Sequence, residues 1–531
     1  MSKQKKENQS PQMSRRQFIQ VSAAGTALMV GQFTLPASSW SADGNILRIR
    51  NYSDILTLDP AHIKSKNEDI INGCIQNKLI DYKPGDEWGW RPVAAESIKQ
   101  VTPTRIEFTL KKGIMFSNGF GEMTTEDVKY SYERIADPAT KSAYKGDWEL
   151  LETVEIKDKY TGVIVLKKPF APVWMTSLSG SSGVVVSKKA MESVGGTFTT
   201  NPPACSGPYI FKEWKPKQVA IVVRNPDWNG PKPDFDEVHF YPIDDEKTAE
   251  IGFEAGDLDF TRISISSYDM FKAKAGKDFK VVNKPSLYYA WMGINKDNPV
   301  MKDIRIRKAI QKAVDIDSIL EAAYFGQAKP ATGIIPPGLL GHRPKAINPP
   351  KADPEGAKKL LKEAGFPNGI DVTLDCLNKS TYVTQAQVIQ ASLAEANIRA
   401  KVNVHESGQF WVLGSEKEMK EKVNNIQIIT GRFSSQPDPH WYVMWFTTEQ
   451  VGVWNWERFS NAEFDKLYKD AAVETDPAKR DKMYQRMQDL MEESGCYRFI
   501  THESAPIAYK TSIIPAMTPE GVPIVRYFKK A

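Results

Sequence analysis

The sequence predicts an α/β fold built around more than one core, on three observations: short strands with strict apolar alternation, well-marked helices between them, and a length of 531 residues. Strand signals open at Leu47 and Ile49 and recur at Ile106, Phe108 and Leu110, where every second residue is apolar. Thr124 followed by Asp127 reads as a capping-box-like helix start, and Val128, Ser131, Tyr132 and Ile135 then share one face. Between Asp353 and Gly365 the chain places Asp at the cap, Pro354 at the first helical position, Leu360 and Leu361 inward, and Gly365 with Pro367 as the stop. Asp476 and Pro477 repeat that pattern ahead of Tyr484, Met487, Leu490, Met491 and Gly495. A single domain usually takes ~100–150 residues, so two or three cores are expected. Loop clusters that can separate them lie at Lys83–Trp90, Asn201–Pro208, Lys284–Ser286, Pro336–Pro350 and near Pro506.

The formal charge of +5 is mostly a property of the N-terminus. Residues 1–42 carry Lys3, Lys5, Lys6, Arg15 and Arg16 against Glu7, a net of +4, which leaves +1 for the rest. A body this close to neutral has no electrostatic footprint for nucleic acid or for an anionic membrane surface. Ser14, Arg15, Arg16, Gln17 and Phe18 precede a moderately apolar stretch to Val30 and small residues from Ala37 to Ala42. That layout predicts a signal peptide of twin-arginine type over residues 1–42, cleaved within residues 37–43, with translation starting at Met1 or Met13. No cysteine precedes Cys74, so no lipid anchor is expected at the cleavage site, and a soluble, periplasmic mature protein follows. Cys74, Cys205, Cys376 and Cys496 are widely spaced, and all three full disulfide pairings stay open.

Signs of catalysis are missing. The six histidines include no pair at i,i+3 or i,i+4, and the sequence has no His-Glu-x-x-His, Gly-x-Ser-x-Gly, Walker loop or Gly-x-Gly-x-x-Gly. The expectation is a non-enzyme with no catalytic residues, no cofactor and no resident metal.

Several blocks resemble the family 5 extracellular solute-binding proteins, the peptide-binding components of ABC importers. They are Leu58-Asp59-Pro60-Ala61; Arg105 to Ile135; Ser206-Gly207-Pro208-Tyr209 running to Arg224-Asn225-Pro226; Asp303 to Ile310; and Ala364 to Gly369. The resemblance implies a type II two-lobed periplasmic binding fold with an extra domain inserted in the first lobe. On that pattern residues 43–85, 201–286 and 506–531 form domain I, residues 86–200 the inserted domain II, and residues 287–505 domain III. It also implies a monomer that closes over a peptide or peptide-like solute and hands it to a membrane permease and its ATPase subunits.

The resemblance places ligand contacts on the segment Gly431, Arg432, Phe433, Ser434 and Ser435, followed by Asp438. In peptide-binding relatives an Asp holds the ligand amine; that position falls here on Ser435, which favours an anionic or amine-blocked solute because a hydroxyl cannot neutralise a buried ammonium. Lys64, Lys66 and Arg432 would together suit such an anion. Tyr288, Tyr289, Trp291 and Trp411 are candidate aromatic walls, Tyr289 and Trp411 serving equally as core. His440 is the candidate nickel ligand under a second reading as a metal-chelate binder; the aromatic run from His440 to Phe446, with Trp454 and Trp456, would serve sugar stacking under a third. A secreted hydrolase is the alternative from a different class.

Overall fold

The structure, a computed structural model, describes residues 45–531, which form one compact unit; the predicted signal peptide lies outside the described residues. Its backbone is a ten-stranded mixed sheet that runs through both lobes, in the order Tyr209–Lys215, Val219–Arg224, Glu237–Pro242, Ile46–Asn51, Phe260–Arg262, Tyr497–Lys510, Phe279–Ile294, Ile428–Phe433, Ile370–Leu377 and Ile398–His405. The two central strands, Phe279–Ile294 and Tyr497–Lys510, are by far the longest and pair antiparallel with each other. Their ladder runs from Phe279 opposite Lys510 to Pro285 opposite Ser504, breaks, and resumes at Tyr289 opposite His502. Proline at 285 has no N–H to donate, so the interruption falls where the chain cannot complete the ladder.

A second, antiparallel sheet of four strands, in the order Ala95–Thr102, Arg105–Leu110, Thr161–Leu166 and Leu151–Ile156, has its own core of Ile106, Phe108, Leu110, Val128, Tyr132, Trp148 and Ile164. The helix Thr125–Ala136 packs on it, and both halves of its capping box are present: the Thr124 N–H donates to Asp127 at 2.8 Å. Val128, Ser131, Tyr132 and Ile135 are all buried, as their spacing predicts. The helices Pro354–Glu363 and Pro477–Glu493 likewise start at capping Asp353 and Asp476, and Gly365 and Gly495 follow them with positive φ. Leu361 is buried while Leu360 only packs at the margin of the core.

The pleat of Phe279–Ile294 separates two cores. Leu287, Tyr289 and Trp291 face a large aromatic cluster with Phe433, Tyr442, Phe446 and Tyr497, whereas Ala290, Met292 and Ile294 face an aliphatic one beneath the helices Ile304–Ala313 and Ile316–Tyr324. Tyr289 and Trp291 are each 1% exposed, so Trp291 is a core residue and not the pocket wall expected of it, and Tyr289 takes the core role held open for it. Trp291 donates from Nε1 to Glu457 at 2.7 Å, and burial pushes the Glu457 carboxyl up to about 7.

A carboxyl whose pKa is higher folded than unfolded favours the fold while it is protonated. Its contribution is therefore fully present below the ordinary value of 4.5 and is lost as pH rises through about 7. Relative to Glu457→Gln, the wild type should lose urea resistance between pH 5 and pH 8. Parallel pH profiles of the two proteins would show that Glu457 does not titrate in this range.

All four cysteines are free and buried, and burial raises Cys74 to about 12 and Cys205, Cys376 and Cys496 to about 11. None of the open disulfide pairings is formed, and the thiols pack as small apolar groups. Among the described residues no helix is long and apolar enough to cross a membrane.

Candidate functional site

Strand ends bring the site together. Ile46–Asn51 and Phe260–Arg262 are parallel neighbours, so Arg50 and Arg262 both arrive at the carboxyl ends of adjacent strands, where α/β sheets commonly present ligand groups. With Tyr52, Lys64, Lys66 and Glu520 they line one side of a cavity of 480 Å³, whose other side is Leu287, Tyr288, Ser434 and Ser435. A second compartment of 290 Å³ is walled by Trp411, Phe433, Trp445 and Trp454, with Arg432 at its edge. Tyr288 and Ser434 line both, so the two compartments adjoin at these residues.

The first compartment is rich in positive charge. Arg50 is 4% exposed and is held by carbonyls: Nε donates to Ile243 O and Nη2 to Asp244 O, both at 2.8 Å, and Nη1 to Arg262 O at 3.2 Å. Burial lowers its pKa, against the pull of Tyr52, Glu246, Asp245 and Asp244. Arg262 donates to the Glu520 carbonyl at 3.1 Å, and among the described residues neither arginine has a carboxylate in salt-bridge range. Both guanidiniums lie near the Tyr52 ring, Arg50 at 4.5 Å and Arg262 at 5.9 Å from its centre. Burial raises the Tyr52 phenol, and its Oη, like Ser435 Oγ, is buried without a hydrogen-bond partner. Buried polar oxygens of this kind usually have a partner.

Lys66 reaches Glu520 at 3.5 Å, and Lys64 is exposed. The opposite wall is not a bare cation. Arg432 donates to Glu503 at 2.6 Å and lies 4.1 Å above the Tyr288 ring, while Tyr382 donates to the other Glu503 oxygen at 2.7 Å. Burial opposes the Arg432 charge, but Glu503, Tyr382 and Tyr288 outweigh it and hold the guanidinium above its ordinary pKa.

Of the residues expected at the site, Lys64, Lys66, Tyr288, Trp411, Arg432, Phe433, Ser434 and Ser435 do meet around the two compartments. The others line neither compartment. Gly431 lies inside the sheet, where an added Cβ would stand 3.0 Å from the Phe410 ring; its lack of a side chain serves packing. Tyr289 and Trp291 point to the face opposite Tyr288, because successive strand residues alternate. Asp438 is buried and locked in a two-pronged ion pair with Arg480, at 2.7 and 2.9 Å. His440 is 8% exposed, stacks on Tyr468 at 4.5 Å and shares a 3.0 Å hydrogen bond between its Nε2 and the Tyr468 hydroxyl. Burial lowers its pKa to about 4. Among the described residues no group of three or more His, Cys, Asp or Glu is placed to hold a metal ion.

Sequence reasoning missed Arg50, Tyr52, Arg262, Glu503 and Glu520, and considered Trp445 and Trp454 as site residues only for sugar stacking. The Leu58-Asp59-Pro60-Ala61 block is itself structural: Asp59 is fully buried and binds Arg134 through both oxygens at 2.8 and 2.6 Å.

Two α/β lobes joined by long paired strands, with a cavity where they meet, define a solute-binding protein. The sequence model of the bacterial extracellular solute-binding proteins, family 5, matches residues 89–453, and the chain belongs to that family. The glutathione-binding protein GsiB of Escherichia coli K12 is 27% identical over 448 residues, which is 83% of this chain and 85% of GsiB. The structure of HbpA2 from Haemophilus parasuis superposes with a TM-score of 0.82 at 23% identity, over 92% of this chain and all of that one. The oligopeptide-binding protein AppA of Bacillus subtilis, solved with a nonapeptide, gives 0.70 at 22% identity, over 92% of this chain and 99% of AppA. Family 5 proteins are binding components of ABC importers, and their partners are the solute, the permease and its ATPase subunits.

Proposed function

We propose that this protein captures a short anionic peptide or peptide-like solute, with glutathione as the first compound to test, and delivers it unaltered. The carrying observation is the charge of the larger compartment, where Arg50, Lys64, Lys66 and Arg262 face a single carboxylate, Glu520. An anionic guest would supply the counter-charge that the arginines lack, and Tyr52 Oη and Ser435 Oγ stand free to bind its polar groups. The aromatic compartment would take an apolar side chain, since stacked rings offer large contact area. The glutathione-binding relative supports this reading, as does Ser435 in place of an amine-binding carboxylate.

Closure comes from contacts with the guest that exist only when both walls meet it. Lobe one is assigned residues 43–85, 201–286 and 506–531, the insert 86–200, and lobe two 287–505. The ladder break at Pro285 and the confinement of the four-stranded sheet to the insert support this division. Export through the twin-arginine route to the periplasm, a monomeric state and the absence of catalysis complete the proposal.

Native mass spectrometry of protein purified from the periplasm should show one bound small solute, and calorimetry with reduced glutathione should show one site per chain. A neutral or cationic copurified solute would refute the anionic reading. Conversion of that solute during prolonged incubation would revive an enzyme.

A further inference from the structure

A separate cavity of 360 Å³ shares no lining residue with the cleft. Six cations line it, Arg91, Lys111, Lys112, Lys232, Arg526 and Lys529, and no carboxylate does. Lys529 reaches Asp234, outside the lining, at 3.3 Å; among the described residues the other five make no salt bridge. Like charges crowded without counter-charge cost free energy, so a surface keeps such a group where something offsets the repulsion.

Part of the offset is built in. Arg526 is 8% exposed; its Nη2 donates to Asn77 Oδ1 at 2.6 Å and its Nη1 to Gln76 O at 3.2 Å, both neutral acceptors. The cations also alternate with rings: Arg91 sits 4.6 Å from the Tyr527 centre, and Arg526 5.7 Å from both Tyr527 and Trp228. The loop carrying Trp228 is fixed. Trp228 donates to Pro231 O at 3.0 Å, a side chain at Gly230 would meet the ring at 2.4 Å, and the Asn229 amide donates to Lys112 O and Gly113 O at 3.2 and 2.6 Å. Ring faces soften the repulsion but leave the net charge in place.

We propose that this cavity is a second binding site, for a small soluble phosphate compound carrying at least two negative charges, independent of the transported solute. Lysine and arginine donors from several directions suit tetrahedral phosphate oxygens, and the half-buried rings of Trp228 and Tyr527 add apolar contact for a planar group attached to them. The concave shape favours a compact ligand over a flat membrane surface. Burial, then the neighbouring Arg91 and Arg526, hold Lys111 below its ordinary pKa, with Glu96 pulling the other way.

The probe is inorganic pyrophosphate, titrated calorimetrically into the mature protein in a phosphate-free buffer of low ionic strength. One site per chain is expected, and the double variant Lys111→Glu/Lys112→Glu should weaken it by about tenfold or more. Both lysines are exposed, and an unchanged melting temperature without pyrophosphate certifies the fold. Arg262→Ala, in the cleft, should bind pyrophosphate as the wild type does. Absence of pyrophosphate binding, undiminished binding by the double variant, or loss in Arg262→Ala would overturn the proposal. So would sedimentation with phosphatidylglycerol vesicles without pyrophosphate binding, which would make the surface a lipid contact.

Discussion

Asp438→Ala is expected to destabilise the protein by about 3–5 kcal/mol, the usual cost of stripping one partner from a buried ion pair. Asp438 and Arg480 are both nearly inaccessible, and the carboxylate also accepts the His440 N–H at 2.9 Å. Arg480 is further tied by its Nε to Ala471 O at 2.9 Å, so it cannot swing out to water without breaking a second contact. Removing the carboxylate leaves a largely buried guanidinium with only neutral acceptors, the Ala471 carbonyl and the Tyr484 hydroxyl. Thermal unfolding should show a clear drop in Tm for the single variant, largely recovered in Asp438→Leu/Arg480→Met, where the stranded charge is gone. A single variant that melts with the wild type would mean that the pair contributes nothing net, and that water reaches Arg480.

Arg262→Ala is expected to weaken binding of the transported anion by about ten- to a hundredfold, the scale of one or two hydrogen bonds to a charged group, roughly 1.5–3 kcal/mol. Arg262 is the better test than Arg50, whose three carbonyl contacts hold the ends of the first lobe's strands together. Arg432→Ala should act differently, because the Glu503 carboxylate would then be left without its cation beside Tyr382. Affinity should fall there too, and an anionic solute should gain less from low salt than in the wild type. Calorimetry on both variants at two ionic strengths separates these effects. Unchanged affinity in Arg262→Ala would place the solute's charge elsewhere.

Local rules were legible in the sequence and long-range pairing was not. Caps such as Thr124 with Asp127, or Asp353 ahead of Pro354, act within one turn of chain, so residue types three positions apart suffice to read them. The adjacency of Arg50 and Arg262 depends on which strands lie side by side, over more than two hundred positions of sequence, and no local pattern encodes it. Tyr288 and Tyr289 show the same limit at the finest scale. Both are tyrosines in one strand, but its register alone decides that one faces the cavity and its neighbour the core. The blocks that carry the family resemblance proved largely architectural. Gly207 is an instance: any side chain there would meet the Cys74 carbonyl at 2.4 Å.

Tyr288, one of the two residues that both compartments share, lies inside the break in the central ladder, between Pro285 and Tyr289. A guest that presses on this ring would act where the two long strands lose their pairing. On the proposed function, closure that starts at this ring would report occupancy to a permease that never touches the solute.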